Sequence, residues 1–337
     1  MARSSVEELP TSVPNELHIR RPVKYELNRR RLVGRAAQRR EKMIAFGYYG
    51  GKFSHLDFLL PLLPTSYRHY CEPFGGSAAV LINRKPAPIE TYNDVDSEVA
   101  NFFACLREDG EELIRLISLT PFSREELVRA HTHERGLTPL ERARRFFVRA
   151  RQTRTGLAQT SSEGRWAHCV LTSRAGMAGA VSRWLGSVEG LAEIVQRLQR
   201  VQIENVPALE VIRRYDSPDT LFYCDPPYPH EARGDAKAYG FEMSNAEHEE
   251  LAKALHDVEG AVAVSGYRCD LMNRLYGGWV RVDSPEHLCN SSKTSRVESV
   301  WMNYEQLSRN VASDTERSPR LLEKKGRRSR SRRNAKK

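Results

Sequence analysis

Residues 220–228 read Thr-Leu-Phe-Tyr-Cys-Asp-Pro-Pro-Tyr, an apolar run that ends in an acid and two prolines. The run is short and rich in β-branched and aromatic residues, which is typical of a buried strand. Asp225 would then lie at the carboxyl end of that strand, where open α/β sheets bind ligands. Pro226 and Pro227 lack a backbone N–H and stiffen the turn, so their carbonyls can serve as fixed acceptors. Tyr228 adds an aromatic plane, and the set suits a planar ring that bears an amine.

Six further short runs predict strands, each bounded by Gly, Pro, Asp or Asn. They cover residues 69–74, 89–94, 201–206, 261–266, 279–283 and 297–304. Helical patterns lie between several of them, at residues 77–83, 97–107, 208–215 and 246–258, the last preceded by Ser244 as a cap. Alternating strands and helices predict an α/β fold in which helices cover both faces of a mostly parallel sheet.

The charge of the chain is concentrated in particular segments. The net charge is +10 over 337 residues, yet residues 43–316 hold 31 basic and 37 acidic residues. Residues 1–42 hold 11 Lys and Arg against 5 acids, and residues 317–337 hold 11 against 1. We therefore expect basic, disordered extensions at residues 1–42 and 308–337. Localised positive charge is typical of proteins that bind a polyanion, although solvated disorder alone also explains such tails.

A long central segment differs from the rest of the chain. Between residues 106 and 199 the strand signal disappears and helical patterns dominate. Residues 124–183, inside this segment, hold 12 Arg and 5 acids. We interpret residues 106–199 as a helical subdomain inserted into an α/β domain formed by residues 43–105 and 200–307.

The clearest helix of the insert spans residues 139–151. Leu140, Ala143, Phe147 and Ala150 follow helical spacing and would bury one face. The remaining surface would carry Arg142, Arg144, Arg145, Arg149, Arg151 and Arg154. Such a helix can contact phosphates or bases, and a merely solvated face is the alternative.

Several classes of protein are not favoured. The longest apolar run, residues 58–64, is too short for a membrane span and contains two prolines. A basic start followed by an apolar stretch is missing, so we expect no signal peptide. The six cysteines form no CxxC pair, and the histidines follow no metal-ligand pattern, which favours a cytoplasmic protein with reduced thiols and no metal. The chain has no GxxxxGK[ST] run, so a nucleoside triphosphate is not favoured.

A second group of residues indicates a ligand loop. Residues 72–77 read Glu-Pro-Phe-Gly-Gly-Ser, where the first predicted strand gives way to a helix. Two glycines let the backbone approach a ligand, and the helix N-terminus offers free N–H groups. Asp94 ends the second predicted strand, where an acid suits the two hydroxyls of a ribose. Asp96 is the rival for that role, and a solvent-facing helix cap is its alternative.

These motifs resemble those of the Dam-like, alpha-group DNA adenine-N6 methyltransferases, which use S-adenosylmethionine. The similarity covers residues 43–307. Residues 46–52, Phe-Gly-Tyr-Tyr-Gly-Gly-Lys, resemble the family's N-terminal cofactor motif, and residues 72–77 resemble its methionine-side loop. Asp94 is similar to its ribose acid, and residues 225–228 to its catalytic tetrapeptide. The loop differs in reading Phe-Gly-Gly-Ser rather than the commoner Phe-x-Gly-x-Gly.

The resemblance implies a Rossmann-like class I methyltransferase sheet with an inserted helical target-recognition subdomain. It implies that S-adenosylmethionine is bound by Tyr48, Gly51, Lys52, Glu72, Phe74, Gly75, Gly76 and Asp94. It also implies that the amine of an adenine flipped out of double-stranded DNA is held by Asp225, Pro226, Pro227 and Tyr228. We expect DNA contacts from the insert, with the candidates Arg142, Arg145, Arg149 and Arg154.

Two alternatives stay open. The same chemistry serves the N4 amine of cytosine, although Asp rather than Ser at position 225 favours adenine. A non-catalytic DNA-binding protein could also retain this scaffold, but Asp225 and the complete cofactor loop argue against it.

Overall fold

The computed structural model describes residues 42–154, 158, 161–174, 176–232, 240–285, 287–288 and 295–305. Within these ranges the α-helices are α1 (Leu56–Leu59), α2 (Ala79–Asn83), α3 (Ser97–Glu108), α4 (Gly110–Ser118), α5 (Arg124–His131), α6 (Pro139–Gln152), α7 (Gly179–Glu189), α8 (Leu191–Leu198), α9 (Ala208–Tyr215), α10 (Asn245–Asp257) and α11 (Asp270–Tyr276). Short 3-10 helices lie at Lys52–His55, Leu60–Leu62, Glu163–Arg165 and His230–Ala232. Apart from Lys42, the predicted basic extensions lie outside the described residues.

The strands are β1 (His69–Glu72), β2 (Ile89–Asn93), β3 (Ser173–Arg174), β4 (Met177–Ala178), β5 (Gln202–Glu204), β6 (Thr220–Cys224), β7 (Ala261–Tyr267), β8 (Val280–Asp283), β9 (His287–Leu288), β10 (Ser295–Arg296) and β11 (Glu298–Met302). Seven of them form one sheet in the order β5-β2-β1-β6-β7-β11-β8. The first five in that order run parallel, whereas β11 is antiparallel to both of its neighbours. The predicted α/β fold with a mostly parallel sheet is therefore confirmed, and each of the seven predicted strands takes part in it.

Alternate residues of the central strands enter two apolar cores. On β6, Leu221 and Tyr223 face one core, while Phe222 and Cys224 face the other. Helices α2, α3 and α8 contribute to the first core, and α9, α10 and α11 cover the second. Because both faces of β6 are covered, its sequence is continuously apolar rather than alternating.

The chain order places a switch point at the middle of the sheet. From β1 the chain moves to β2 on one side, and it later enters β6 on the other side. Crevices at such reversals, beyond the carboxyl ends of the strands, are the usual ligand sites of open α/β sheets. Glu72 ends β1 and Asp225 follows β6, so both lie at this edge.

The helices of the central segment share the first core. Phe102 of α3 stacks on Phe147 of α6 with ring centroids 5.7 Å apart. Phe46 packs edge-on against Phe146, with centroids 4.9 Å apart. The apolar core therefore continues from the sheet into the helical region. None of the helices in the described ranges is long and apolar enough to cross a membrane.

A small hairpin lies in the segment for which the sequence predicts only helices. β3 and β4 pair in antiparallel fashion, and Gly176 in the turn has a φ of 75°. A positive φ favours glycine because a Cβ would be strained there. Each strand has two residues, which is too short to produce a periodic pattern in the sequence.

A buried ion cluster joins helix α8 to the sheet. Glu90 of β2 accepts hydrogen bonds from Arg84 Nη1 at 2.5 Å and from Arg197 Nη2 at 2.7 Å. Arg197 lies on α8 and also donates to the backbone oxygen of Leu81 at 2.7 Å. Removing one partner of a buried pair leaves an uncompensated charge, so this cluster fixes α8 against β2.

Candidate active site

A cavity of about 330 Å³ opens beyond the carboxyl ends of β1, β2 and β6. Its walls come from residues 48–52, 72–77, 79–80, 94–95, 207–209 and 240–243, together with Tyr223, Asp225, Pro227, Glu247, Glu250 and Leu251. All eight residues that the resemblance assigns to the cofactor line it: Tyr48, Gly51, Lys52, Glu72, Phe74, Gly75, Gly76 and Asp94.

The loop after β1 requires both of its glycines. A Cβ on Gly75 would lie 2.1 Å from the ring of Tyr92, which is closer than atoms can approach. Gly76 has a φ of +49°, and a Cβ there would lie 2.9 Å from the ring of Tyr48. The two glycines thus let the backbone pass between two aromatic rings, and the N–H of Gly75 donates to Asn93 O at 2.8 Å.

Asp94 is held by this loop. Its Oδ2 accepts from the N–H of Gly76 at 2.7 Å, and its Oδ1 accepts from the N–H of Asp96 at 2.8 Å. Burial raises the pKa of Asp94 to about 6, although the two N–H donors act in the opposite direction. Asp96 caps α3 by accepting from the N–H of Glu98 at 2.9 Å, as its alternative role predicts, but Asp96 is buried rather than solvent-facing.

Glu72 is a second buried acid of the cavity wall. The hydroxyl of Tyr70 donates to Glu72 Oε1 at 2.6 Å. Burial raises the pKa of Glu72 to about 8 despite this hydrogen bond. Near neutral pH the carboxyl group is therefore mostly protonated, and a cation in the cavity would favour its ionised form.

The acid of the tetrapeptide lies next to the lysine of the N-terminal motif. Lys52 Nζ lies 2.6 Å from Asp225 Oδ2 and donates to the backbone oxygen of Gly50 at 2.5 Å. The hydroxyl of Ser265 donates to Asp225 Oδ1 at 3.2 Å. Burial raises the pKa of Asp225, and Lys52 opposes that shift. The sequence predicts neither the Lys52–Asp225 contact nor the part played by Ser265.

Tyr228 stands behind this pair. Its ring packs edge-on against Tyr267 with centroids 4.8 Å apart, and Lys52 Nζ lies 4.9 Å from its centroid. Its hydroxyl donates to Glu298 Oε1, and Lys52 Nζ lies 3.7 Å from the same oxygen. The ring is only 3 % exposed, so it is fixed on several sides in this conformation.

Glu298, like Ser265, is a residue of this cluster that sequence reasoning misses. It begins β11, and the rest of that strand reads Ser-Val-Trp-Met. A charged residue is rarely buried unless it is paired. An acid at the start of an otherwise buried strand is therefore a signal that could have identified it.

The chain matches the family model described as "D12 class N6 adenine-specific DNA methyltransferase" over residues 48–294. The chain belongs to this family. The match includes the cavity loops and the tetrapeptide, and it confirms the resemblance to the DNA adenine-N6 methyltransferases. Family membership also indicates S-adenosylmethionine as the methyl donor.

One named relative is similar to part of this chain. This chain is 27% identical over 124 residues to the Type II methyltransferase M1.LlaDCHI of Lactococcus lactis subsp. cremoris. That match spans 35% of this chain and 43% of the relative.

Two solved structures also show a likeness. The SAM-dependent methyltransferase from Agrobacterium tumefaciens is 9% identical, with a TM-score of 0.30, over 74% of this chain and 60% of that one. The rRNA methyltransferase aviRa from Streptomyces viridochromogenes is 12% identical, with a TM-score of 0.28, over 74% and 80%.

The cavity is chemically compatible with S-adenosylmethionine. Buried acids stand at two points of its wall, at Glu72 and Asp94. Apolar side chains, among them Phe74, Leu209 and Met243, form other parts of it. The donor has matching parts, namely an ammonium group on its amino-acid end, a ribose with two hydroxyls and a flat aromatic base.

Two of the arginines predicted to contact DNA are paired within the protein. Arg142 Nη2 lies 2.5 Å from Glu98 Oε1, and Arg149 Nη2 lies 3.2 Å from Glu98 Oε2. Arg149 also donates to the backbone oxygen of Ala130 at 2.8 Å. Both side chains thus join α6 to α3 or α5.

The other two arginines predicted to contact DNA, Arg145 and Arg154, differ in their exposure to solvent. Arg145 donates to Glu141 at 2.8 Å and to Glu134 at 2.9 Å, and its side chain is only 6% exposed. Arg154 is exposed, and its guanidinium lies 3.1 Å from His168. Contact of these four arginines with DNA stays a prediction, and Arg154 is the one most open to solvent.

The two remaining arginines of the predicted face of α6 also bond internally. Arg144 lies 2.7 Å from Glu126, and Arg151 donates to the backbone oxygen of Ala45 at 2.6 Å. Ala45 directly precedes the N-terminal cofactor motif. The expected open face of the helix is therefore largely an internal scaffold, because acids far apart in the sequence converge on it.

Proposed function

We propose that this protein transfers a methyl group from S-adenosylmethionine to the N6 amine of adenine in double-stranded DNA. The observation that carries the proposal is the position of Asp225. Its carboxylate lies at the wall of the cofactor cavity, fixed by Lys52 at 2.6 Å and by Ser265 at 3.2 Å. An acceptor for an amine and a cavity for a methyl donor thus meet at one point.

The cavity residues have distinct proposed roles toward the cofactor. Asp94 accepts from the ribose hydroxyls, using the lone pairs that its two backbone donors leave free. Glu72 pairs with the amino group of the methionine end. The loop of Gly75 and Gly76 brings backbone close to the ligand, with Phe74 beside it. Tyr48, Gly51 and Lys52 form a further part of the wall.

The tetrapeptide acts on the target amine. The cofactor supplies an electrophilic methyl group on a sulfonium. The exocyclic amine of adenine is a weak nucleophile because its lone pair is conjugated with the ring. Hydrogen bonds from its two protons, to the Asp225 carboxylate and the Pro226 carbonyl, favour a tetrahedral nitrogen with an available lone pair. They also stabilise the positive charge that develops there, and the rigid turn orients them in advance.

Transfer is direct and in line in this proposal. The nitrogen–methyl bond forms as the sulfur–methyl bond breaks, and the nitrogen then releases one proton. No covalent intermediate with the protein is needed. The target base must leave the duplex to reach the cavity, which is the general solution for enzymes that modify a base. Tyr228 and Pro227 would hold the flipped base on one side.

The helical segment is the proposed target-recognition region. We assign residues 43–105 and 200–307 to the catalytic domain and residues 106–199 to recognition. Exposed arginines of this segment, such as Arg154, Arg165 and Arg174, are available to phosphates. The basic extensions add sequence-independent affinity for DNA.

One experiment tests the proposal and its cytosine alternative together. The protein is expressed in a host that lacks DNA methylation, and the host DNA is sequenced with detection of modified bases. We expect N6-methyladenine in one sequence context. Detection of N4-methylcytosine would instead identify cytosine as the substrate. Unmodified host DNA, with the protein folded, would favour a non-catalytic scaffold.

A further inference from the structure

Glu298 lies inside the sheet and against the tetrapeptide. It is the first residue of β11, opposite Tyr267 on β7, and it is 2% exposed. Its backbone is fixed as well, since its oxygen accepts from the N–H of Ser284 at 2.7 Å and its N–H donates to the Ser284 hydroxyl at 3.1 Å. The carboxylate therefore has little freedom to move.

The carboxylate of Glu298 contacts two groups of the site. It accepts from the hydroxyl of Tyr228, and it lies 3.7 Å from the ammonium of Lys52. A lysine ammonium has three N–H donors. Here Gly50 O, Asp225 and Glu298 surround it, so the direction of the ammonium toward Asp225 is defined.

Glu298 also restrains the tetrapeptide from its far end. Tyr228 stands three residues after Asp225, and the two residues between them are prolines. Because prolines fix φ, this turn has few conformations. A hydrogen bond that anchors Tyr228 thus limits where the Asp225 carboxylate can lie.

We propose that Glu298 is a positioning residue for methyl transfer, which orients Asp225 through Tyr228 and Lys52. The inference rests on the function proposed above. Glu298 touches neither the base nor the cofactor in this scheme. Its effect on turnover comes from the geometry and the charge of the cluster that it forms with Lys52, Asp225 and Tyr228.

The net charge of the cluster affects the rate of methyl transfer in a predictable direction. With both carboxylates ionised, two negative groups surround one lysine, and the surplus favours positive charge on the attacking nitrogen. The titratable groups facing Glu298 are Lys52, Asp225, Tyr228, Tyr223 and Tyr267. Burial raises the pKa of Glu298 to about 7, against the effect of Lys52. Turnover should therefore rise as pH increases through about 7 and Glu298 loses its proton.

The test uses E298Q in the full chain, with S299A as a matched control. Ser299 is the next residue of β11, is also buried, and donates to Asp283 away from the cluster. Single-turnover methylation of DNA is measured between about pH 6 and 9, together with cofactor affinity and thermal melting. A small misplacement of a reacting group can cost up to about a hundredfold in rate.

We expect E298Q to lower the methylation rate by roughly tenfold or more. Cofactor affinity should stay near the wild-type value, and the rise of the rate through about pH 7 should disappear, because residue 298 then has no proton to lose. S299A should melt earlier and methylate normally. A wild-type rate and pH profile in E298Q would overturn the proposal.

A second variant covers the case in which E298Q does not fold. Y228F keeps the ring but loses the hydroxyl that donates a hydrogen bond to Glu298. The proposal requires a lower rate in Y228F, and in the double variant no further loss beyond the larger single effect. Additive losses, or an unchanged rate in Y228F, would overturn it. Absence of methylation by wild-type protein would instead refute the proposed function.

Discussion

Buried acids around the cavity have lost the ordinary behaviour of surface carboxyl groups. Glu72 has a pKa of about 8 and Asp94 one of about 6, in both cases because burial disfavours the charge. An acid with a raised pKa holds its proton at a pH where a surface acid does not. Ligand binding at such a group is therefore coupled to protons, which makes its role measurable.

Glu72 provides the first prediction. If its carboxylate pairs with the cationic amino group of S-adenosylmethionine, binding at pH 7 should release close to one proton from Glu72. Release should vanish above about pH 9, where Glu72 of the free protein has already lost its proton. Calorimetry in buffers of different ionisation enthalpy measures the proton count. Glu72→Gln should bind more weakly and release none, and equal proton release in that variant would exclude Glu72 as the source.

Asp94 provides the second prediction, with Asp96 as its control. Asp94→Ala should weaken S-adenosylmethionine binding by roughly tenfold to a hundredfold, the value of one or two hydrogen bonds to a charged group. Asp96→Ala should leave affinity nearly unchanged and cost about 1 kcal/mol of stability, because it removes a helix cap. Titration and thermal melting separate the two effects. The opposite pattern would assign the ribose to Asp96.

At the scale of elements, α6 shows that a pattern of charged residues does not identify their ion-pair partners. The spacing of its apolar residues predicts the buried face, which is observed for Ala143, Phe147 and Ala150. The arginine pattern alone does not reveal the partners of these side chains, since Glu98 and Glu126 are distant in sequence and arrive through α3 and α5. The same limit applies to Glu298, which only the pairing of β11 with β7 brings to Tyr228.

Local signals, by contrast, predict the elements of the sheet well. Short β-branched runs between turn residues mark every strand of the seven-stranded sheet, and Ser244 caps α10 with a complete capping box. The cofactor loop is predictable for the same reason, because its glycines and Asp94 lie at strand ends. Two-residue strands such as β3 carry too few residues for any such signal.

The third prediction distinguishes scaffold from DNA contact within α6 and its end. Arg145→Ala should cost about 2 kcal/mol of folding stability, because it removes a mostly buried guanidinium that donates to Glu141, to Glu134 and to the backbone oxygen of Thr132. Arg154→Ala should leave stability within about 0.5 kcal/mol and weaken DNA binding. Denaturant unfolding and DNA titration give both numbers. If Arg145→Ala melts normally and loses DNA affinity, the arginine face of α6 is a DNA contact after all.

At the scale of the whole molecule, charge is unevenly distributed along the chain. The basic extensions lie outside the described residues, apart from Lys42, while the cavity and the sheet lie within residues 42–305. Affinity for DNA and chemistry on the base are thus expected to come from different parts of the chain.

The fourth prediction follows from this division. A chain trimmed to residues 43–310 should fold and methylate, because the sheet and both ligand loops are retained. It should bind DNA more weakly, with a shallower salt dependence, since each lost phosphate contact removes about one unit of slope. Affinity at several salt concentrations tests this. An unfolded trimmed chain would mean that residues 1–42 pack on the core.

In the proposed mechanism, Asp225 acts on the target amine, and the cavity binds the cofactor independently of Asp225. The most direct test compares wild-type protein with Asp225→Ala in one assay, which measures N6-methyladenine in DNA by mass spectrometry beside S-adenosylmethionine affinity. We predict that the variant loses methyl transfer by a factor on the order of a hundred or more and binds the cofactor nearly as well as the wild type. Near-wild-type methylation by Asp225→Ala would contradict the account.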